Sequence, residues 1–399
     1  MRGQNGLPIF IMALLLMQAI LAQEPTTPTA TNREGGFLLA GYGFTNFEKA
    51  EHELSNFSAS FNPIMLWRPA DRLLFESEVE FEVEEGTTEI GLEFAQIFYV
   101  LNDYITLGAG KFLSPNNNFM ERLHPAWINK LPDMLFGVSG HGGVQLLAST
   151  QLGVQARGGI PLGASKLSYA IYVANGPTLN VEEDHGGATG EESVSSEGDE
   201  EGEGHGHGVG VPGTLNFSNS EDNNADKAIG GRIAFYPVPQ LEIGYGFETA
   251  KVGSEGTHFA DVRSTNHVVD FTYVTDVTPL KGRIDLRGQF IWLNVDNPNE
   301  EPLVFENKST AGYGQIAYQP YLLESGFLKN VELVFRYDRL DLPEEALLNT
   351  DMKRVSFGLN YWLSASSAFK FAYERVTETG NEGEEETEGK FIGQFTLGF

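Results

Sequence analysis

From Phe75 to Glu84 the chain alternates without a break, with Phe75, Ser77, Val79, Phe81 and Val83 on one side and Glu76, Glu78, Glu80, Glu82 and Glu84 on the other. Period 2 is the period of a strand, so this stretch has one largely apolar face and one face of carboxylates. A buried carboxylate without a partner costs several kcal/mol. The acidic face is therefore expected to meet water, and the apolar face needs either a second layer or lipid.

The same pattern recurs along the chain. Leu38, Ala40, Tyr42 and Phe44 share one face, with Leu39, Gly41, Gly43 and Thr45 on the other. Phe57, Ala59 and Phe61 alternate with Asn56, Ser58, Ser60 and Asn62, and Pro63 is expected to mark a bulge because it cannot donate to a ladder. Ile90, Leu92, Phe94, Phe98 and Val100 continue the apolar face of the acidic strand. In the last ten residues Phe391, Gly393, Phe395, Leu397 and Phe399 oppose Lys390, Ile392, Gln394, Thr396 and Gly398. A membrane barrel turns such aromatic faces to lipid and the small or polar faces to its lumen. Beyond the N-terminus no segment approaches the ~18 consecutive apolar residues of a spanning helix, so a membrane protein here has to be a barrel.

The N-terminus gives the compartment. Arg2 is the only charge before an apolar run from Leu7 to Leu21, and small Ala22 follows, which reads as a secretory signal peptide over residues 1–22. An uncleaved anchor is the alternative, for which the run is short. Residues 23–35, rich in Thr and Pro, read as a periplasmic tail, and residues 36–399 as the barrel. The chain has no cysteine, so neither a lipidated cysteine nor a disulfide nor thiol catalysis is available. A formal charge of −29 argues against nucleic acid as a partner.

Short and long connections alternate. Short turns fall near 68–72, 101–103, 161–164, 237–240, 276–281, 320–327 and 364–367; longer connections fall near 48–55, 85–88, 114–143, 176–227, 253–261, 296–308, 341–350 and 378–388. Barrels of this kind have short periplasmic turns and long external loops, so the pattern predicts an all-β transmembrane antiparallel barrel of about 16 strands with both ends periplasmic. Each strand and connection then has about 24 residues, against the ~9–11 that a spanning strand needs. A barrel of this size encloses a water-filled lumen.

Two stretches resemble a known family. Glu93-Phe94-Ala95-Gln96-Ile97-Phe98-Tyr99-Val100 and Leu107-Gly108-Ala109-Gly110-Lys111-Phe112-Leu113-Ser114-Pro115 look like the fourth and fifth strands of outer-membrane porins of the phosphate-selective porin O/P-like superfamily. Leu123-His124-Pro125, Gly153-Val154-Gln155-Ala156-Arg157-Gly158 and the terminal Phe399 extend the resemblance weakly over the mature chain. It implies a diffusion channel for small hydrophilic solutes or ions in the outer membrane of a Gram-negative bacterium, open to assembly as a homotrimer, whose third loop folds inward. The terminal phenylalanine resembles the closing strand that the outer-membrane assembly machinery reads. In the family, anion selectivity comes from lumen arginines and lysines; the carboxylate row from Glu76 to Glu84 would repel anions and argues against phosphate as the solute.

With apolar faces outward, Arg157, Arg232, Arg283, Arg287, Arg336, Arg354, Lys370 and Lys390 point inward, together with Glu242, Glu248, Asp270, Asp285, Glu332, Asp338 and Glu374. They either tie neighbouring strands by cross-strand pairs or line a solute path opposite the carboxylate row. The third loop, 114–143, contains Phe119, Trp127, Leu131, Met134, Leu135 and Phe136, too apolar to stand in water. Docked inside the barrel it would present Glu121, Arg122, His124, Lys130 and Asp133 at a constriction; docked outside it would pack on another subunit. His124 reads as a hydrogen-bonded structural histidine.

From Val181 to Asp226 there are thirteen acidic residues and no Lys or Arg, with His185, His205 and His207 among them. Such composition predicts a disordered acidic external loop within 176–227. It acts either as a solvated brush or, in the alternative reading, as a collector of divalent metal ions on a barrel scaffold. No nucleophile elbow, metalloprotease helix or P-loop occurs, and Ser139 and His141 sit amid glycines that cannot position a triad. No enzyme and no cofactor are expected.

Overall fold

The computed structural model describes residues 35–84, 86–138, 144–181, 211–218, 220, 222–347, 349–380 and 383–399. The signal-peptide and tail readings, Ser139, His141, His185, His205 and His207 lie outside the described residues, apart from Gly35.

The alternating segments become strands β1 (Gly36–Ala50), β2 (Asn56–Ala70), β3 (Leu73–Glu84), β4 (Thr87–Val100), β5 (Thr106–Leu113), β6 (Thr150–Leu162) and β7 (Ser165–Ala174). A small hairpin of β8 (Thr178–Leu179) and β9 (Leu215–Asn216) comes next. The remainder is β10 (Ala228–Val238), β11 (Leu241–Lys251), β12 (Arg263–Val277), β13 (Gly282–Val295), β14 (Lys308–Gln319), β15 (Val331–Asp341), β16 (Asp351–Ser364), β17 (Ser367–Thr379) and β18 (Glu385–Gly398). All but β8 and β9 form one closed antiparallel barrel of sixteen strands, each pairing with its chain neighbour. The turns and loops fall where the sequence places them, with two differences in length: the connection expected to be long near 85–88 is only two residues long, between β3 and β4, and the one expected to be short near 320–327 spans 320–330.

Closure joins β1 to β18, from Tyr42 opposite Gly398 to Ala50 opposite Lys390. Gly41 and Phe399 exchange both backbone hydrogen bonds, at 3.1 and 2.9 Å. Gly41 has φ +150°, and a Cβ there would lie 2.4 Å from the Asn62 carbonyl oxygen and 2.9 Å from the Phe399 ring. Only glycine fits that position. The Phe399 ring lies over the Gly41 side of the seam and stacks on Phe61 at 5.8 Å.

The outer surface is an aromatic and aliphatic belt: Phe335, Phe357, Phe369, Phe371, Phe391, Phe395 and their neighbours are exposed, while the residues between them are buried inward. Such a belt on a closed barrel is the surface a bilayer covers, since closure leaves no unpaired edge in hydrocarbon. Among the described residues no helix is long and apolar enough to cross a membrane.

Three expectations about faces change. In β4 the register passes from Glu78 opposite Phe94 to Val79 opposite Leu92, so Glu93 is an extra residue, a β-bulge. The bulge inverts the parity: Ile90, Leu92, Ile97 and Tyr99 point out, whereas Phe94 and Phe98, expected outside, are buried inside. In β1 it is Tyr42 that turns inward and the Gly41–Gly43 face that turns outward. Pro63 makes no bulge; it stands opposite Gly41 in unbroken register with β1, and the ladder to β3 omits Asn62 and Pro63 instead.

The seam makes a sharp prediction. Gly41→Val should lower unfolding free energy by about 2–4 kcal/mol and cut refolding yield. Gly314→Ala, where nothing lies within 4 Å of a new Cβ, should leave both unchanged. Heat-modifiable electrophoretic migration and denaturant titration of the refolded protein read the two outcomes.

Candidate functional site: the third loop against the charged wall

The third connection leaves β5 at Leu113 and re-enters the barrel at Thr150, so it runs past the expected end at Gly143. Asn117 caps a one-turn helix, α1 (Asn118–Arg122), accepting from the Met120 N–H at 3.4 Å. Apolar side chains decide the course of the rest of the loop. Leu131, Leu135, Phe136, Leu146 and Leu147 have no place in water, and all are buried inside the barrel.

The loop's polar groups meet the inward faces of β6 and β10–β18. Arg157 reaches Glu121 at 2.5 Å. Arg122 reaches Glu242 at 2.6 Å, and Glu242 also takes Arg232 at 2.8 Å, with Asp270 on the other side of Arg232 at 2.6 Å. Lys130 pairs with Glu332 at 2.7 Å and stands 3.8 Å from Asp285, which Arg287 holds at 2.7 Å. Asp133 accepts from Arg354 at 2.7 Å and from Lys390 at 2.8 Å. Arg354 also engages Asp338 at 2.7 Å and lies over the Phe136 ring at 4.3 Å.

Backbone carbonyls of the loop complete the contacts. Lys370 donates to the carbonyls of Ala126 and Asn129, Arg336 to that of Asp133 and Arg354 to that of Met134, and Asn360 to that of Lys130 at 2.9 Å. A peptide lying in a barrel has carbonyls with no ladder partner, and lumen cations satisfy them. The wall charges therefore do more than tie strands: they fasten the loop.

Burial pushes the Asp133 carboxyl up, but Arg354 and Lys390 outweigh it and hold it well below the usual carboxylate range. Burial pushes His124 down, to about 4. Its Nδ1 contacts the Met120 carbonyl, which can only accept, so Nδ1 carries a proton, and the lowered ionisation leaves the imidazole neutral near pH 7. His124 is thus a structural residue in geometry.

The sequence-derived residues do not all assemble. Arg157, Arg232, Arg287, Arg336 and Arg354 join the loop network, whereas Arg283 pairs with Asp276 at 2.9 Å beside Tyr321, at the short-turn end. Glu121, Arg122, Lys130 and Asp133 are fastened to the wall, and none stands alone at an opening. The carboxylate row is not uniformly wet: Glu78 is 2% exposed because its inward neighbours are Ile64 on β2 and, through the bulge, Phe94 on β4. Glu76 accepts from Gln96 at 2.6 Å, and Glu80 lies 3.4 Å from Ser60 and Asn62. The flanks of the 176–227 segment are ordered: the β8–β9 hairpin packs Leu179, Leu215 and Phe217 into the same apolar cluster as Leu135 and Phe136.

Sequence reasoning missed the uncharged members. Asn116 donates to Asn266 at 3.1 Å, the Phe119 N–H to Gln289 at 3.2 Å, and Gln151 and Tyr172 both to Glu248 at 2.6 Å. Asn266 and Gln289 sit at inward positions of β12 and β13, so face parity alone would have found them. Among the described residues no group of three or more His, Asp or Glu is placed to hold a metal ion.

No family model matches the chain, and no curated protein matches it. Solved structures do. The anion-selective porin from Comamonas acidovorans is 11% identical, with TM-score 0.54, 92% of this chain and 100% of that one covered. OprB of Pseudomonas putida is 9% identical, with TM-score 0.56, covering 92% and 94%. OmpT of Vibrio cholerae, in a trimer form, is 12% identical, with TM-score 0.50, covering 92% and 100%. In fold, this chain is a sixteen-stranded barrel of the outer-membrane type.

Two outcomes are expected. The unfolded histidine takes its proton near 6.5 and the folded one only near 4, so below pH 6.5 the unfolded state binds more protons. Stability should fall by up to about 3 kcal/mol as pH drops from 6.5 to 4, then level off; His124→Gln should flatten that leg in denaturant midpoints. Asp133→Asn should weaken loop docking by about 3 kcal/mol, read as new protease cleavage within 114–149 while the barrel stays folded.

Proposed function

We propose that the chain forms a water-filled channel across the outer membrane for passive diffusion of small hydrophilic solutes, with a preference for cations. The barrel fold and its polar inner wall support a channel. The single observation that carries the cation preference is the separation of charge across the lumen. Arg122, Arg232, Arg287, Arg336, Arg354, Lys130 and Lys370 are committed to carboxylates or loop carbonyls on the β10–β18 side. The opposite wall carries Glu76, Glu80 and Glu82 on β3, with Glu121 of the loop facing that side beside Arg157.

The third loop is fastened mainly to β10–β18, and on this reading solutes pass along the acidic wall. A cation there meets favourable potential and an anion is repelled. This is opposite to the anion selectivity of the Comamonas porin, and it argues against a phosphate-selective channel. We also propose a homotrimer, the form recorded for the Vibrio protein. The network around Asp133 is a fastening device, and we assign no residue a catalytic role.

Reversal potential in a salt gradient across a planar bilayer tests the reading. The wild type should show discrete conductance steps with cation preference. The triple variant Glu76→Gln, Glu80→Gln, Glu82→Gln should lose about two- to threefold of the cation-to-anion permeability ratio while keeping its conductance steps. Anion preference in the wild type, or an unchanged ratio in the variant, would sink the role of the acidic wall.

A further inference from the structure

On β15, β16 and β17 the inward positions Arg336, Asp338, Arg354, Ser356 and Glu374 are buried, and the outward positions Phe335, Tyr337, Phe357 and Tyr373 are exposed. Arg339, Lys353 and Arg375 share the outward parity. Arg339 stands directly opposite Lys353. Lys353 stands opposite Thr377, and Arg375 is two residues from Thr377 on the same face. Three cations on three adjacent strands therefore lie side by side on the surface that faces away from the lumen.

That arrangement is unfavourable by itself. Side chains directly opposite are ~4.5–5.5 Å apart at Cβ and diagonal ones ~7–8 Å, and like charges so placed repel. Asp341 pairs with Arg339, and Asp351 shares the outward parity of β16 two residues from Lys353, so two carboxylates border the three cations on the long-loop side. No ion pair among the described residues engages Lys353 or Arg375. The chain has 55 acidic residues against 26 basic ones, so three cations side by side on one face stand out against the charge of the whole molecule.

Its height identifies what could neutralise it. Arg339 and Arg375 lie two residues beyond Tyr337 and Tyr373, toward the long connections at 342–350 and 380–384. Tyrosines on a lipid-facing surface mark the boundary between hydrocarbon and headgroups. Two strand residues farther, ~7 Å, lies the headgroup layer. Guanidinium forks bind phosphate oxygens in a bidentate manner.

We propose that Arg339, Lys353 and Arg375 form a binding site for the phosphate groups of a phosphorylated lipid in the leaflet on the long-loop side. The lipid anion sits between the three cations, relieves their repulsion, and anchors an otherwise strongly acidic protein among anionic headgroups. The site lies outside the lumen and stands independently of the channel reading.

The test uses the full-length barrel refolded in neutral detergent and titrated with diphosphoryl lipid A, followed by native mass spectrometry. We expect saturable lipid adducts on the wild type. The triple variant R339Q/K353Q/R375Q should bind on the order of 100-fold more weakly, with unchanged heat-modifiable migration. Lipid A stripped of its phosphates should bind the wild type no better than the intact lipid binds the variant. Should the triple variant not fold, K353Q alone carries the test with a loss of about fivefold. Undiminished binding by the variants, equal binding of the stripped lipid, or displacement by inorganic phosphate would each overturn the proposal.

Discussion

In hydrocarbon a backbone N–H or C=O without a partner costs several kcal/mol, and every larger feature of this molecule is a way of meeting that constraint. Sixteen strands close on themselves so that no edge faces lipid. The closing ladder between β1 and β18 relies on Gly41, where any side chain would strike the Asn62 carbonyl. Inside, the third loop is a length of chain with no ladder of its own, and Lys370, Arg336, Arg354 and Asn360 serve as its hydrogen-bonding neighbours. The same requirement thus decides the wall and its contents.

Charge is arranged in two ways here. On the β10–β18 side cations and carboxylates alternate closely enough to neutralise one another, and their desolvation is offset by pairing and by loop carbonyls. Such buried networks add little net stability against an apolar core, but they admit one arrangement of the loop and penalise others. On β3 the carboxylates stand in a single row on one strand, and the proposed cation preference rests on that row.

Much of this is legible in the sequence because period 2 reports faces directly. The alternation of Phe75 to Glu84, the terminal run to Phe399 and the spacing of turns are sufficient for sixteen strands, and the apolar residues of the third loop are sufficient to dock it. What alternation cannot carry is a change of phase. The extra residue Glu93 inverts β4, so alternation alone puts Phe94 and Phe98 on the wrong face and leaves Glu78 in water rather than between Ile64 and Phe94. Nor can it carry height: Arg283 has the inward parity of Arg287 yet sits at the short-turn end with Asp276. Which cation meets which loop atom depends on pairs far apart in the chain, and Gln151, Asn266 and Gln289 escape notice because an uncharged amide leaves no mark in a charge pattern.

The salt bridge from Asp133 to Lys390 joins residues 257 positions apart, and this separation orders events in time. The third loop emerges early, when only the first strands exist, but apart from Arg157 on β6 the charged groups that hold it belong to β11, β13, β15, β16, β17 and β18. Contacts of such long range form late, because the chain between them has first to be organised. The loop can take up its final position only as the last strand joins the first, so completion of the wall and narrowing of its interior are one cooperative step.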